Sequence, residues 1–342
     1  MAAGNHFAVD LYKQLRATSG NVVVSPFNVA QALEIARRGA SGQTAKEIRV
    51  ALHDDVTKPP AGVASEAALW TTTPVRNEVA AYAKQLDFTN ANAAASRINA
   101  WVAYKTHSNI RSMISAAMLT KQTRAVLTSA IWMKAAWKYP FEISETHNRV
   151  FHLRHNDVRV PAMRQTIYVR YANLAAGVRV VELPYENDRL NMLIVLPDAR
   201  DGLTAVEESL TVDAIAKWTN AMRQVDVDVQ LPRFSATSTL SLTKPLQRLG
   251  VKRLFDRKRG AELPGITASG EPLYVSDVLH SARIQVDESG TEAAAGTAVL
   301  TIATGTEAPP PPVPFIADHP FLYIIRSGDQ ILFIGRVMDP RS

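Results

Sequence analysis

The stretch Val286–Phe315, VDESGTEAAAGTAVLTIATGTEAPPPPVPF, constrains the fold more than any other part of the chain. It opens with acidic and turn residues, Asp287-Glu288-Ser289-Gly290, continues through small side chains, and ends in a proline block, Pro309 to Pro312 with Pro314. No wide apolar stripe recurs at helical spacing, and the charge is too low for a solvating tail. Small, partly β-branched side chains suit a pleated surface from either side, with Gly290 a flexible hinge and the prolines a stiff spacer. Read as a strand, period two puts Thr291, Ala293, Ala295, Thr297, Val299, Thr301 and Ala303 on one face. That face carries no charge and no bulk, so it can enter a gap in an existing sheet without a volume clash. Composition alone also fits an Ala/Pro-rich linker. The flanking sequence decides between the two.

Bulk properties narrow the class. A chain of 342 residues, 46% hydrophobic and 20% charged, can bury a large core and fits one or two globular domains. The absence of cysteine removes disulfides, thiolate chemistry and Cys-based metal sites, and suits a reducing compartment. Residues 1–20 carry no apolar signal core, no run reaches membrane-spanning length, and there is no Asn-x-Ser/Thr sequon. The expectation is a cytoplasmic protein without a membrane partner, or a secreted one if a signal has been removed. A net charge of +6 permits attraction to polyanions without demanding it.

Along the chain, Asn5 reads as the cap of a helix sharing Phe7, Leu11 and Leu15 on one face and closing at Gly20. Val22–Val24 is a short strand ended by Ser25-Pro26. Helices are predicted over 28–38, about 44–52 and 94–107, and His53–Glu66 reads as loop. Thr73-Pro74 reads as a helix start with Val75–Leu86 following. Thr123–Met133 reads as a central strand, and Val225–Val229 alternates as a half-buried one. Asp226 and Asp228 have no further ligand nearby, so a solvated strand face is preferred to a metal site. There is no G-x-S-x-G elbow, no H-E-x-x-H and no phosphate-binding loop with its lysine, so no enzyme and no cofactor are expected.

VDESGTEAAAGTAV resembles the reactive-centre-loop hinge of serpins, and FIADHPFLYIIRSGDQILFIGRVMDP (Phe315 to Pro340) resembles the strand pair that closes the serpin chain. NVVVSPFNVAQAL, GASGQTAKEI, TRAVLTSAIWMKAAWKYPFE, VELPYENDRLNMLIVLPD and LPRFSATSTLSLTKPLQRLGVKRLF are similar to other serpin blocks in the right order. The resemblance implies one α+β domain over 1–342, with three β-sheets, about eight or nine helices, and an exposed loop at about 288–314. The resemblance also implies that a helix which in some members binds glycosaminoglycan is largely deleted here, at 53–66. The absent signal, the ADHPF block and the short front half look most like intracellular ovalbumin-related or poxviral serpins.

The function implied is suicide-substrate inhibition of serine proteases: the cleaved loop inserts into the central sheet as a strand and traps the acyl-enzyme. Carried across, Glu288, Gly290, Thr291, Glu292, Ala293, Ala294, Ala295, Gly296 and Thr297 form the hinge, with Thr291 at the first buried position and Gly296 departing from the usual Ala or Ser. Family spacing from Glu288 places the reactive bond at Thr304–Gly305, with Ile302–Ala303 and Ala303–Thr304 as neighbours. Thr304 suits the shallow pocket of elastase-like or subtilisin-like proteases, met by a monomeric inhibitor in covalent complex. Ser25, Asn28, Ser129 and His280 match a polar cluster under the sheet's centre. Asn28 and Ser129 exchange the family's usual Ser and Asn, a swap that can preserve a network with His280. Trp137 matches the tryptophan where insertion begins. Two other readings stay open. One is a non-inhibitory serpin acting as carrier or chaperone. The other is a polyanion-binding protein using Arg248, Lys252, Arg253, Arg257, Lys258 and Arg259.

Overall fold

The computed structural model describes residues 4–53, 63–175, 177–267, 273–291 and 310–342. Helix α1 (Gly4–Leu15) buries Phe7, Leu11 and Leu15, as its spacing requires. Asn5 is not its cap: the side chain accepts the Ile331 N–H and donates to the Asp329 carbonyl, tying the helix to the chain's end. Strand β1 (Val22–Val24) leads into α2 (Pro26–Arg38). Ser25 caps α2 by accepting the Asn28 N–H, and Pro26 occupies the first turn, where its missing donor goes unused. Helix α3 is Gly42–Ala51.

Strand β2 (Val63–Thr71) is followed by the main departure from expectation. Residues 75–86 do not form a helix. Val75 bridges Thr267, and Ala83–Gln85 is strand β3, parallel to β2. Only Val79 and Leu86 are buried over this stretch, too few for an apolar stripe, and sheet pairing overrides local propensity. Helix α4 (Ala91–Lys105), capped by Asn90, follows, and then β4 (Ala125–Met133) and β5 (Ala135–Ala136).

The remaining strands are β6 (His147–His152), β7 (Asp157–Leu174), β8 (Val178–Pro184) and β9 (Leu190–Pro197). Two helices, α5 (Leu203–Ser209) and α6 (Val212–Ala221), precede β10 (Arg223–Pro232) and β11 (Phe234–Ser241). Helix α7 (Thr243–Arg248) leads toward β12 (Val275–Asp287) and β13 (Gly290–Thr291). The chain closes with β14 (Val313–Ile316), β15 (Phe321–Ser327) and β16 (Gln330–Val337).

These strands make two hydrogen-bonded sheets. One has seven strands, ordered β3-β2-β4-β12-β13-β5 with β11 on β12. The other has nine, ordered β1-β16-β15-β9-β8-β7-β10-β14 with β6 on β7. The serpin resemblance implies three sheets; here the 18-residue β7 pairs with β6 along its first part, with β10 along its middle and with β8 at its end, so two of the three join into one ladder. Among the described residues there are seven α-helices and three short 3-10 turns, the latter at Ala116–Met118, Ile143–Glu145 and Arg253–Phe255. β4 is buried at nearly every position, so apolar side chains fill both of its faces. One of those faces packs beneath α4, where Trp70, Ile98, Val102, Val126 and Leu279 form a common cluster. Among the described residues no helix is long and apolar enough to cross a membrane.

Candidate functional site

β4 and β12 pair in parallel from Ala125/Val275 to Trp132/Arg283, with a one-residue slip in register between Val275 and Asp277. Beyond that point they part, and two short strands fill the opening. β13 pairs antiparallel with β12, Thr291 opposite Val286, and with β5, Thr291 opposite Ala135. The hinge therefore already supplies a two-residue strand between β12 and β5. Thr291, expected as the first side chain to pass below the sheet surface, is fully buried in the resting structure (0% exposed).

Sequence chemistry explains how the chain turns into this slot. Glu288 and Ser289 form the two-residue turn between β12 and β13, and the Ser289 N–H donates to the Asp287 carboxylate at 3.0 Å. Gly290 has φ +143°, and a Cβ there would overlap the Ala135 carbonyl oxygen. Glycine is thus required for close backbone approach, and the hinge here is a packed joint. Thr291 Oγ1 lies 2.8 Å from the buried Tyr185 hydroxyl, and burial pushes the Tyr185 phenol well up, so it remains a neutral hydrogen-bonding group. Tyr185 stacks on Trp137 at 4.4 Å between ring centroids, with the planes 13° apart. Trp137 in turn donates its indole N–H to the Asp287 carbonyl at 3.0 Å and its backbone N–H to Ser289.

Glu288 fixes the turn from below. Burial opposes its charge, but hydrogen bonds from Arg233 and Thr146 outweigh that effect and hold its carboxyl below the usual range. Arg233 Nε donates at 2.7 Å and Thr146 Oγ1 at 2.5 Å. Arg233 follows β10 and Thr146 precedes β6, so the hinge is anchored to the nine-stranded sheet as well.

The cluster of Ser25, Asn28, Ser129 and His280 is fully buried (each 0% exposed), but it is wired in two halves. His280 Nε2 accepts the Ser25 N–H at 3.0 Å, which leaves the ring proton on Nδ1, 2.8 Å from Ser129 Oγ. The imidazole thus joins the start of α2 to β4. Burial lowers the His280 pKa to about 3, which keeps the ring neutral. Asn28 does not reach His280: it donates to Ser65 Oγ and the Glu66 carbonyl on β2, and its Oδ1 is buried with no hydrogen-bond partner among the described residues.

Of the cationic residues, Arg248, Lys252, Arg257, Lys258 and Arg259 are exposed. Arg253 is half-buried, 3.0 Å from Asp256 and 3.8 Å from Glu262. Asp228 is held by two hydrogen bonds from Arg164, as a strand-face pair, and no group of His, Cys, Asp or Glu among the described residues is arranged to hold a metal ion. Glu292, Ala293, Ala294, Ala295, Gly296, Thr297, Thr304 and Gly305 lie outside the described residues.

Three contributors to the hinge were missed by sequence reasoning: Tyr185, Arg233 and Thr146. Tyr185 stands inside the VELPYE block, but nothing in its spacing signals a contact with a residue so far along the chain.

A family description, "Serpin (serine protease inhibitor)", matches residues 2–73 and 72–340. An uncharacterized serpin-like protein of Thermococcus kodakarensis is 36% identical, over 99% of this chain and 85% of its own length. The leukocyte elastase inhibitor of Bos taurus is 32% identical over 99% of both chains. Among solved structures, Serpin48 of the insect Tenebrio molitor superposes with a TM-score of 0.87 at 30% identity, covering 98% of this chain and 97% of its own. With closing strands, sheet opening and hinge arranged as described, and matches of this extent, the chain belongs to the serpin family of serine protease inhibitors.

Proposed function

We propose that the protein inhibits its target as a suicide substrate, with Thr304–Gly305 as the reactive bond and residues 288–297 as the inserting hinge. The protease serine attacks the Thr304 carbonyl, the bond to the Gly305 nitrogen breaks, and an acyl ester forms. The freed amine leaves with the fragment that enters β14. The loop then extends β13 between β12 and β4, carrying the ester-linked protease along before water can hydrolyse the ester. The observation that supports this most directly is the seating of Gly290 and Thr291 between β12 and β5: the strand to be inserted has already begun.

A small, uncharged, β-branched side chain at position 304 suits a shallow primary pocket of the elastase or subtilisin kind. The name of the bovine relative, leukocyte elastase inhibitor, supports the first. The test is incubation with leukocyte elastase, pancreatic elastase and subtilisin, followed by denaturing electrophoresis and mass spectrometry of the released peptide. A denaturant-stable complex and a peptide beginning at Gly305 are expected. Cleavage without a complex would leave the carrier or chaperone reading.

A secondary polyanion-binding role is favoured by one feature: Arg257, Lys258 and Arg259 are exposed together on a turn, where Asp256 accepts the backbone N–H groups of Lys258 and Arg259. Salt-dependent retention on heparin that is lost on replacing these three residues tests it.

A further inference from the structure

A cavity of about 520 Å³ lies where the end of α1, the β6–β7 connection, the β9–α5 connection with α5, the chain entering β15 and the chain leaving β16 come together. That is the size of a small-metabolite site. None of its lining residues belongs to the hinge, to the His280 cluster or to the Arg257–Arg259 turn.

Its floor is a closed network. Arg336 on β16 and Glu207 on α5 are both buried, and Arg336 Nη1 donates to Glu207 Oε1 at 3.0 Å. The same guanidinium donates to the Arg16 and Gly20 carbonyls, each at 3.1 Å, and to the Thr18 carbonyl. Glu207 Oε1 also accepts the Tyr12 hydroxyl at 2.5 Å. These bonds pin the turn after α1 against β16 and use up the donors of Arg336, so the floor is a rigid support.

The rim is left open. Arg154 and Arg200 are exposed, Arg16 is half-buried, and none of the three makes an ion pair among the described residues. Arg16 Nε is itself buried with no hydrogen-bond partner among the described residues. A buried donor on a charged group is costly to leave unpaired, and an acceptor held in the cavity removes that cost. Three guanidiniums from distant parts of the chain suit a phosphate, whose oxygens accept from several planar forks at once. Asp201 and Glu208 share the rim, are exposed, and likewise make no ion pair among the described residues. Two such carboxylates repel an extended chain of sulfates or phosphates, yet they accept hydrogen bonds from the hydroxyls of a small ligand.

We propose that this cavity binds a small phosphate ester carrying free hydroxyls, of the sugar-phosphate class. Arg16, Arg154 and Arg200 hold the phosphate, and Asp201 and Glu208 take the hydroxyls. The walls meet only in the folded chain, so the ligand binds the native state alone and stabilises it. The site stands apart from the inhibitory reading and does not depend on it.

The test uses the full chain. Ribose 5-phosphate, inorganic phosphate, ribose and a heparin oligosaccharide are titrated by calorimetry at constant ionic strength, with thermal midpoints measured in parallel. Ribose 5-phosphate is expected to bind saturably and raise the midpoint, inorganic phosphate to bind about tenfold more weakly, and ribose not to bind. Arg154→Gln/Arg200→Gln changes only exposed positions and should keep the circular dichroism of wild type. It is expected to weaken the ester by about tenfold or more, as is Arg16→Gln, whereas Lys258→Gln/Arg259→Gln leaves it unchanged. Asp201→Ala/Glu208→Ala should weaken the ester and spare inorganic phosphate. Absence of saturable ester binding, equal binding of ester and inorganic phosphate, or an ester affinity within about twofold of wild type in the double arginine variant overturns the inference. Heparin binding lost with Arg154 and Arg200, while the ester fails to bind, overturns it as well and makes the rim a polyanion contact.

Discussion

Tyr185 Oη and Thr291 Oγ1 lie 2.8 Å apart, and neither residue is accessible to solvent. The contact joins the segment after β8, in the nine-stranded sheet, to the seated hinge in the seven-stranded one. In the proposed mechanism, insertion starts beside this buried hydroxyl pair, which is backed by the Trp137 ring.

Thr291→Arg is expected to turn the inhibitor into a substrate. The slot has room for a threonine whose hydroxyl is satisfied, and an arginine there would be an unpaired buried charge, unfavourable by several kcal/mol, roughly. The hinge would be driven out, and each ~1.4 kcal/mol added to the insertion barrier slows insertion about tenfold. Deacylation is unaffected because the reactive bond is unchanged. Turnover of loop per trapped protease should rise by more than tenfold, whereas Thr291→Ser should stay close to wild type. Trapping by Thr291→Arg at wild-type stoichiometry would show that insertion does not start from this hinge.

His280 makes the resting sheet acid-sensitive. Its folded pKa of about 3 lies below the ordinary value of 6.5, so the unfolded chain binds more protons at intermediate pH. The stability from neutral His280 is complete above about pH 6.5 and declines toward pH 3, by at most about 1.4 kcal/mol per pH unit. Glu288, with its carboxyl held low, adds a second loss only below its unfolded value of 4.5. Thermal midpoints between pH 7 and pH 5 therefore isolate the histidine. Wild type should fall over this range, and His280→Gln should start lower but run flatter. Parallel curves would remove His280 as the cause.

Thr304→Arg should redirect inhibition to trypsin-like proteases while the hinge is left intact. The readout is the association rate constant with trypsin and with leukocyte elastase, together with the N-terminus of the released peptide. Unchanged preference with cleavage at Ile302–Ala303 or Ala303–Thr304 would relocate the reactive bond.

Cleavage within the loop should stabilise the molecule, the reverse of ordinary nicking. A new central strand buries apolar area and pairs backbone groups, and the thermal midpoint is expected to rise by tens of degrees, about what several combined stabilising changes give. Calorimetry of intact and cleaved protein decides it, and equal or lower melting of the cleaved form is the contrary result.

Much of this architecture was legible in local sequence. Ser25-Pro26 was read only as the end of β1, with the helix from Asn28, whereas α2 starts at Pro26 because a capping hydroxyl and a proline without a donor both belong at a helix start. Thr123–Met133 was legible as a central strand, and β4 is buried at nearly every position, as a strand covered on both faces is. Residues 75–86 misled because their helical propensity was real, while the partners that override it, β2 and Thr267, are distant in sequence. Gly290 was read as a flexible hinge, yet the structure uses its missing Cβ for close packing against Ala135. The network proposed for Asn28 reached Ser65 and Glu66 on β2 because the side chain's direction is set by α2, which sequence spacing does not reveal.

The parting of β4 and β12 just beyond Trp132 and Arg283 has a kinetic consequence. A strand advancing from Thr291 in its present register must separate one parallel pairing ahead of it for each residue it adds, and it then gains antiparallel pairings on both sides. The process is a nucleated zipper, in which starting is the unfavourable event and propagation is downhill. Because Gly290 and Thr291 already occupy the fork, the proposed insertion would start from a nucleus already in place, and its waiting time would be governed by how the next few residues enter and hardly at all by the length of sheet still to be opened.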